Sequence, residues 1–146
     1  PAAGTPPGRR RLMELPGRLV LLGHPVEHSL SPAFQNAALR AAGIPLTYEA
    51  IDVPVDGLVR MAHLLADVNA SGNVTVPHKE AFAACCSTLS PVASRVGAVN
   101  TFWTEDGVLV GDNTDGAGLT RDIEINRGVA LAGNLVISVA GWPSRV

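Results

Sequence analysis

The sequence predicts an α/β fold of three layers, α/β/α, on a mostly parallel sheet with one antiparallel pair. Two observations carry this. Short apolar, β-rich runs alternate with helical stretches along most of the chain. A Glu105-Asp106-Gly107 turn between two such runs marks one hairpin, hence the antiparallel pair.

The elements follow in order. Residues 1–17 are rich in Pro, Gly and Arg and read as a disordered tail. Arg18–Gly23 is a short apolar run ended by Gly and Pro, the pattern of a buried strand. Ser31-Pro32 opens a helix, with Ser as cap and Pro in the first turn, and the helix runs to about Ala42 before Gly43. Thr47–Val53 is a second strand. Asp56 to about Asp67 is helical, with Leu58, Met61, Leu64 and Leu65 as the apolar face. Asn73–Val76 is a third strand, followed by a helix from about Lys79. Ser90-Pro91 starts another helix, which Gly97 ends. Val99–Trp103 and Val108–Val110 flank the hairpin turn. Thr114 to Glu124 is a helix and Leu135–Val139 a last strand.

Composition narrows the function. The chain has 146 residues and a net charge of −2. A domain of this size can bury roughly 70% of its unfolded surface. Near-neutral charge and few aromatics argue against a nucleic-acid surface. No apolar run is long enough for a membrane span, and residues 1–17 lack the apolar stretch of a secretory signal. Cys85 and Cys86 are adjacent and unsuited to a structural bridge, which points to a reducing cytoplasm. They sit in an Ala-rich helical stretch and read as core. No Cys/His spacing suggests a metal. Of the eleven cationic residues, only Lys79 is a lysine. Codon bias explains scarce lysines; it does not explain where the last one sits.

Polar residues gather at strand ends. His28-Ser29-Leu30-Ser31, Asn73 to Lys79, Gly97 to Thr101 and Gly111 to Gly116 each lie at or just past an apolar strand. Ligands of open α/β sheets bind outside the carboxyl ends of strands. Hydroxyls, amides, one amine and one carboxylate suit a small, hydroxylated, anionic ligand.

With Gly23 to Pro32, Asn73 to Lys79, Gly97 to Thr101 and Gly111 to Gly116 in this order, the chain resembles the shikimate dehydrogenase family, specifically its N-terminal substrate-binding domain, over about residues 18–127. The resemblance implies NADP as cofactor and reversible reduction of 3-dehydroshikimate to shikimate, a step towards chorismate and the aromatic amino acids. It implies shikimate and 3-dehydroshikimate as partners, neither nucleic acid nor membrane, and leaves a homodimer open. Quinate as substrate and a shikimate-binding module without catalysis are the alternatives.

The same resemblance assigns residues. Ser29 and Ser31 bind the substrate carboxylate, although Ser before Pro caps helices in any protein. Thr75 contacts substrate, although Thr is common in a β-rich run. Lys79 is catalytic: an ammonium stabilises the negative charge that hydride transfer leaves on a ketone oxygen and can donate the proton. Its plain alternative is a solvated helix lysine. Asp115 pairs with Lys79 and holds a substrate hydroxyl; its plain alternative is a helix N-terminal acid. Asn100 accepts from and donates to another ring hydroxyl, and Thr114 lines the same pocket. His28 and His78 are not required by the family pattern. The role of Asn73 is open between fixing its loop and touching the ligand.

Residues 128–146 are expected to be the truncated, degenerate start of a Rossmann NADP-binding domain. A Gly-rich turn is due after Leu135-Val136-Ile137, yet Trp142 and Pro143 stand near it, where backbone amides must approach pyrophosphate. No cofactor-binding residue is therefore assigned. A fragment or shifted reading frame is expected over a genuine short protein, and no turnover is expected from the 146-residue chain alone.

Overall fold

A computed structural model describes residues 15–128. The chain divides into two compact units, one ending at Asn113 and one beginning at Thr114. Most of the expected tail and all of the expected strand Leu135–Val139 lie outside the described residues. So does the expected Rossmann start, apart from Gly128.

The first unit contains β1 (Arg18–Gly23), α1 (Ser31–Ala41), β2 (Tyr48–Asp52), a 3-10 turn (Val55–Gly57), α2 (Leu58–Asp67) and β3 (Ala70–Val74). It continues with α3 (Lys79–Ala83), β4 (Thr88–Leu89), α4 (Pro91–Val96), β5 (Thr101–Glu105) and β6 (Val108–Asp112). The six strands form one sheet in the order β2-β1-β3-β5-β6-β4. β1 pairs in parallel with β2 and β3, and β4 with β6. β5 alone runs the other way, antiparallel to β3 and to its hairpin partner β6. The hairpin turns through Asp106 (φ 51°) and Gly107 (φ 79°). Two successive positive φ values match the right-handed twist of the flanking strands, and glycine takes the second without steric cost.

The period-2 alternation of β1 divides the core. Leu19 and Leu21 face one side, with Val26, Tyr48 and Leu39 of α1. Val20 and Leu22 face the other, with Leu58, Ala62 and Leu65 of α2, Phe82 of α3 and Ala93 of α4. Helices thus cover both faces of the sheet, giving the three layers. The Phe82 and Phe102 rings lie 4.9 Å apart between centroids, tilted by 48°. Each fully buried side chain of this size contributes about 2 kcal/mol.

Three expectations need correction, and one short strand was not expected. The third strand begins at Ala70, three residues early, and ends at Val74. Ala70-Ser71-Gly72 looks like loop chemistry, but a Cβ on Gly72 would lie 1.9 Å from the Val20 carbonyl oxygen, so only glycine fits beside β1. Thr75 and Val76 each add a backbone bond to the β1 side beyond Val74, and Pro77 cannot continue a ladder past them. On α2 the buried positions are Leu58, Ala62 and Leu65, with Met61 packed against the same core, while Leu64 is 49% exposed; spacings of four and three set the inward stripe through Ala62, which leaves Leu64 beside it. The two-residue β4 was too short to show a pattern. The last strand pair starts at Thr101, not Val99.

The second unit, within the described residues, is α5 (Asp115–Arg127).

Candidate functional site

β1, β2, β3 and β6 all end at one edge of the first unit's sheet. Gly23 lies beside Asp52, Leu22 beside Val74, Asn73 beside Thr101, and Thr101 beside Asp112. Because β5 is antiparallel, its start is at this edge. The segment Gly97 to Thr101 therefore precedes its strand, rather than following one, and still reaches the same place.

The serine loop after β1 is held from two sides. His24 N–H donates to Val76 O at 3.1 Å, joining this loop to the one after β3. Asp52, at the end of β2, accepts Val26 N–H at 3.2 Å through Oδ1 and meets His24 Nδ1 at 2.9 Å through Oδ2. Ser29 N–H donates to Val26 O at 3.0 Å. Ser31 is the first residue of α1 and makes no capping hydrogen bond; Leu30 holds the cap position. The hydroxyl at the helix start is that of Ser29, whose Oγ accepts Ser31 N–H at 3.2 Å. The expected cap is thus displaced by two residues, and both serines are half-buried.

Thr75 extends β1's ladder by one bond, Thr75 N–H to Leu22 O at 2.8 Å, before Val76-Pro77 turns the chain. His78 is 1% exposed, and its Nε2 lies 2.6 Å from Val53 O. A carbonyl can only accept, so Nε2 donates; this histidine fastens the turn to the end of β2. Lys79 opens α3, and its carbonyl accepts Val99 N–H at 2.8 Å. A shallow cavity of about 290 Å³ is lined by Val76, Pro77, Lys79, Glu80 and Ala98.

Asn100 is buried, 9% exposed. Its N–H donates to Asp112 O at 3.1 Å, and its carbonyl accepts Val74 N–H at 2.9 Å. Asn113 Nδ2 donates to Ala98 O at 3.0 Å. Asp112 Oδ1 accepts Asn113 N–H at 2.7 Å and the Ser90 hydroxyl. The segment 97–101 is thus held at three successive points.

Asn73 resolves towards fixing its surroundings. Its Oδ1 accepts the Tyr48 hydroxyl at 2.8 Å. Its Nδ2 donates to Asn100 O and Thr101 Oγ1, each at 3.2 Å. Tyr48, Thr101 and Asp112 had no assigned part in the sequence reading. A lone Tyr at the start of a β-rich run carried no signal, since the run explains it. Burial pushes the Tyr48 phenol up to about 12.

Ser29, Ser31, Thr75, Lys79 and Asn100 therefore stand on segments gathered at one edge of the first unit. Thr114 and Asp115 belong to the second. Thr114 holds the cap position of α5, and its carbonyl accepts Gly118 N–H at 2.9 Å. Asp115 opens α5, where an acid complements the helix dipole. Among the described residues no group of three or more His, Cys, Asp or Glu could hold a metal ion. No helix among them is long and apolar enough to cross a membrane.

Residues 21–102 match the model of the shikimate dehydrogenase substrate binding domain. Shikimate dehydrogenase (NADP(+)) of Symbiobacterium thermophilum is 46% identical over 143 residues, 94% of this chain and 47% of the relative. That of Moorella thermoacetica is 51% identical over 109 residues, 74% of this chain and 37% of the relative. The structure of the Thermus thermophilus shikimate 5-dehydrogenase with shikimate superposes with a TM-score of 0.73 at 40% identity, covering 80% of this chain and 45% of that one. The Listeria monocytogenes enzyme with shikimate and NAD gives 0.71 at 36% identity, covering 76% and 39%. The chain spans about half the length of the curated relatives it matches.

Proposed function

The chain belongs to the shikimate dehydrogenase family, and from that premise we propose that it carries the shikimate-binding half of an NADP-dependent oxidoreductase. The observation that carries the reading is the gathering of three polar segments at one sheet edge, one of them bearing Lys79. Neither a solvated helix lysine nor a helix-capping serine requires that convergence.

In this reading Ser29 and Ser31 hold the ligand carboxylate, and Thr75 and Asn100 hold ring oxygens. Lys79 and Asp115 share the proton chemistry. When bound, NADPH supplies a hydride to the ketone carbon of 3-dehydroshikimate. Negative charge then grows on the former ketone oxygen, where the Lys79 ammonium stabilises it and gives up a proton. The product is shikimate, and the reverse direction returns the proton to the amine. The residues due to meet the cofactor's pyrophosphate lie outside the described residues, so none is assigned.

The reading places the protein in a reducing cytoplasm. Free Cys85 and Cys86 support this; burial raises both thiols, Cys86 to about 11 with its neighbour adding to the effect.

Calorimetric titration of the 146-residue chain with shikimate tests the proposal. Saturable binding is expected, weakened by Ser29→Ala and by Lys79→Met. Quinate in parallel defines tolerance at the ring. Absence of any binding at millimolar shikimate by a folded chain would overturn it.

A further inference from the structure

We propose that Asn36 positions Ser29 and Ser31: its side-chain amide stands in for a neighbouring strand beside Tyr48 and so sets where the start of α1 lies. For its effect on binding the proposal rests on the reading of these serines as carboxylate holders, whereas the positioning itself is read without ligand.

β2 is the outermost strand of its sheet and pairs with β1 alone. Just past it, Val53 N–H donates to Gly23 O, towards β1. Backbone groups alternate in direction along a strand, so those of Tyr48, five residues earlier, face the open side. At a sheet edge such groups are a template for another chain. Here Asn36 of α1 takes both. Its Nδ2 donates to Tyr48 O at 2.9 Å, and its Oδ1 accepts Tyr48 N–H at 2.8 Å. A main-chain N–H only donates and a carbonyl only accepts, so the two bonds together fix which end of the amide lies where. A flipped amide would lose both.

α1 depends on this anchor, because it has no fully buried residue. Its contribution to the core is Leu39, half-buried against Leu21, Val26 and Tyr48. Asn36 and Leu39, three residues apart, share a helix face. At 1.5 Å per residue, Ser31 lies about 8 Å along the axis from Asn36 and about 12 Å from Leu39. With Leu39 as the remaining hold, the helix can tilt on that contact, and its far end moves most. Ser31 is at that end, and Ser29 is tied to it, its Oγ accepting Ser31 N–H at 3.2 Å. Before the serines, Val26 is held by Asp52. β2 thus fixes both ends of the serine segment, at Asp52 and at Tyr48. Asn36 is a positioning residue: it acts through the serines and needs no contact with the ligand.

The test uses the ¹⁵N-labelled 146-residue chain as wild type, Asn36→Ala, Asn36→Asp, Ser29→Ala and the double variant Ser29→Ala/Asn36→Ala. Without ligand, the Ser29 and Ser31 amide resonances should move in Asn36→Ala, and the Tyr48 amide should exchange with solvent about tenfold faster. Asn36→Asp keeps an acceptor for Tyr48 N–H but sets an oxygen against Tyr48 O, and the serine amides should move there too. Shikimate affinity, followed in the same spectra, should fall about fivefold in Asn36→Ala. Because Asn36 acts through Ser29, the loss in the double variant should be smaller than the product of the two single losses. A general loosening of the fold gives losses that multiply, and that outcome overturns the proposal. Serine amides that stay in place in Asn36→Ala overturn it as well. Moved amides with unchanged affinity overturn its role in binding. If wild type binds no shikimate, the carboxylate reading fails, while the serine and Tyr48 amides still decide the positioning. Should Asn36→Ala not fold, Asn36→Gln, which displaces the same amide by one methylene, carries every measurement.

Discussion

Asp52 holds the main chain of Val26, accepting its N–H at 3.2 Å from the neighbouring strand. Through this bond the end of β2 fixes the loop that presents Ser29 and Ser31. Asp52 itself is half-exposed and touches His24 with its other oxygen at 2.9 Å. Asp52→Ala leaves the Val26 amide without its acceptor and frees the loop to drift. Shikimate affinity should fall about fivefold, with a stability loss of about 1 kcal/mol. Asp52→Asn, which keeps an acceptor oxygen, should lose less of both. Calorimetry and urea unfolding measure the pair, and unchanged affinity in Asp52→Ala would show that the loop holds itself.

Tyr48 is the only tyrosine of the chain, so its ionisation can be read directly by phenolate absorbance. Its folded value is about 12 against an ordinary 10.0. A phenol with a raised value is neutral in both states below pH 10, and its contribution to stability is complete there. Between 10 and 12 the unfolded chain loses the proton while the folded one keeps it, so stability falls as pH rises through this window. The expected outcome is an absorbance midpoint near 12 in the folded chain and near 10 in denaturant. A folded midpoint near 10 would mean the phenol is not buried against Asn73.

These two positions mark how far the sequence reaches. The edge was legible because Ser29, Thr75, Lys79 and Asn100 lie in contiguous blocks, each next to a β-rich run. α4 was legible end to end, since Ser90 caps it through Ala93 N–H at 3.0 Å and Gly97 closes it at φ 73°. Asp52 and Tyr48 were not, because both act across strands that are 25 or more residues away in sequence. Ser31 misled for a related reason: Ser-Pro is a good cap signal, but the serine two residues earlier reaches the helix start. β4 was hidden by its length, and the start of β3 by a glycine required by its neighbour.

Gly72 makes that last point measurable. It pairs with Val20 on one side and Phe102 on the other. A Cβ there would lie 1.9 Å from Val20 O and 2.8 Å from its carbonyl carbon, both backbone atoms that cannot rotate away. Gly72→Ala should therefore part β1 from β3 and cost about 3 kcal/mol or more. Gly57→Ala is the matched control, since its Cβ would meet Val53 Cγ1 at an ordinary 3.7 Å; its effect should stay within about 0.5 kcal/mol. Urea unfolding of both variants provides the comparison. Equal effects would mean that the sheet yields where Gly72 sits.

The lone lysine separates charge from proton transfer. Lys79 lines the cavity, and the Val99 N–H on its carbonyl ties it to the segment carrying Asn100. Arginine in its place keeps the positive charge but does not give up a proton at neutral pH. In the 146-residue chain, Lys79→Arg should bind shikimate within about threefold of wild type, whereas Lys79→Met should bind more weakly through lost charge. In a fusion that supplies the remaining half of a relative, Lys79→Arg should lower kcat for shikimate oxidation at least about 100-fold with little change in KM. That split between binding and rate is what a proton-transferring amine requires. An arginine variant that turns over like wild type would leave Lys79 with only an electrostatic part, and the proton would have to move through another group.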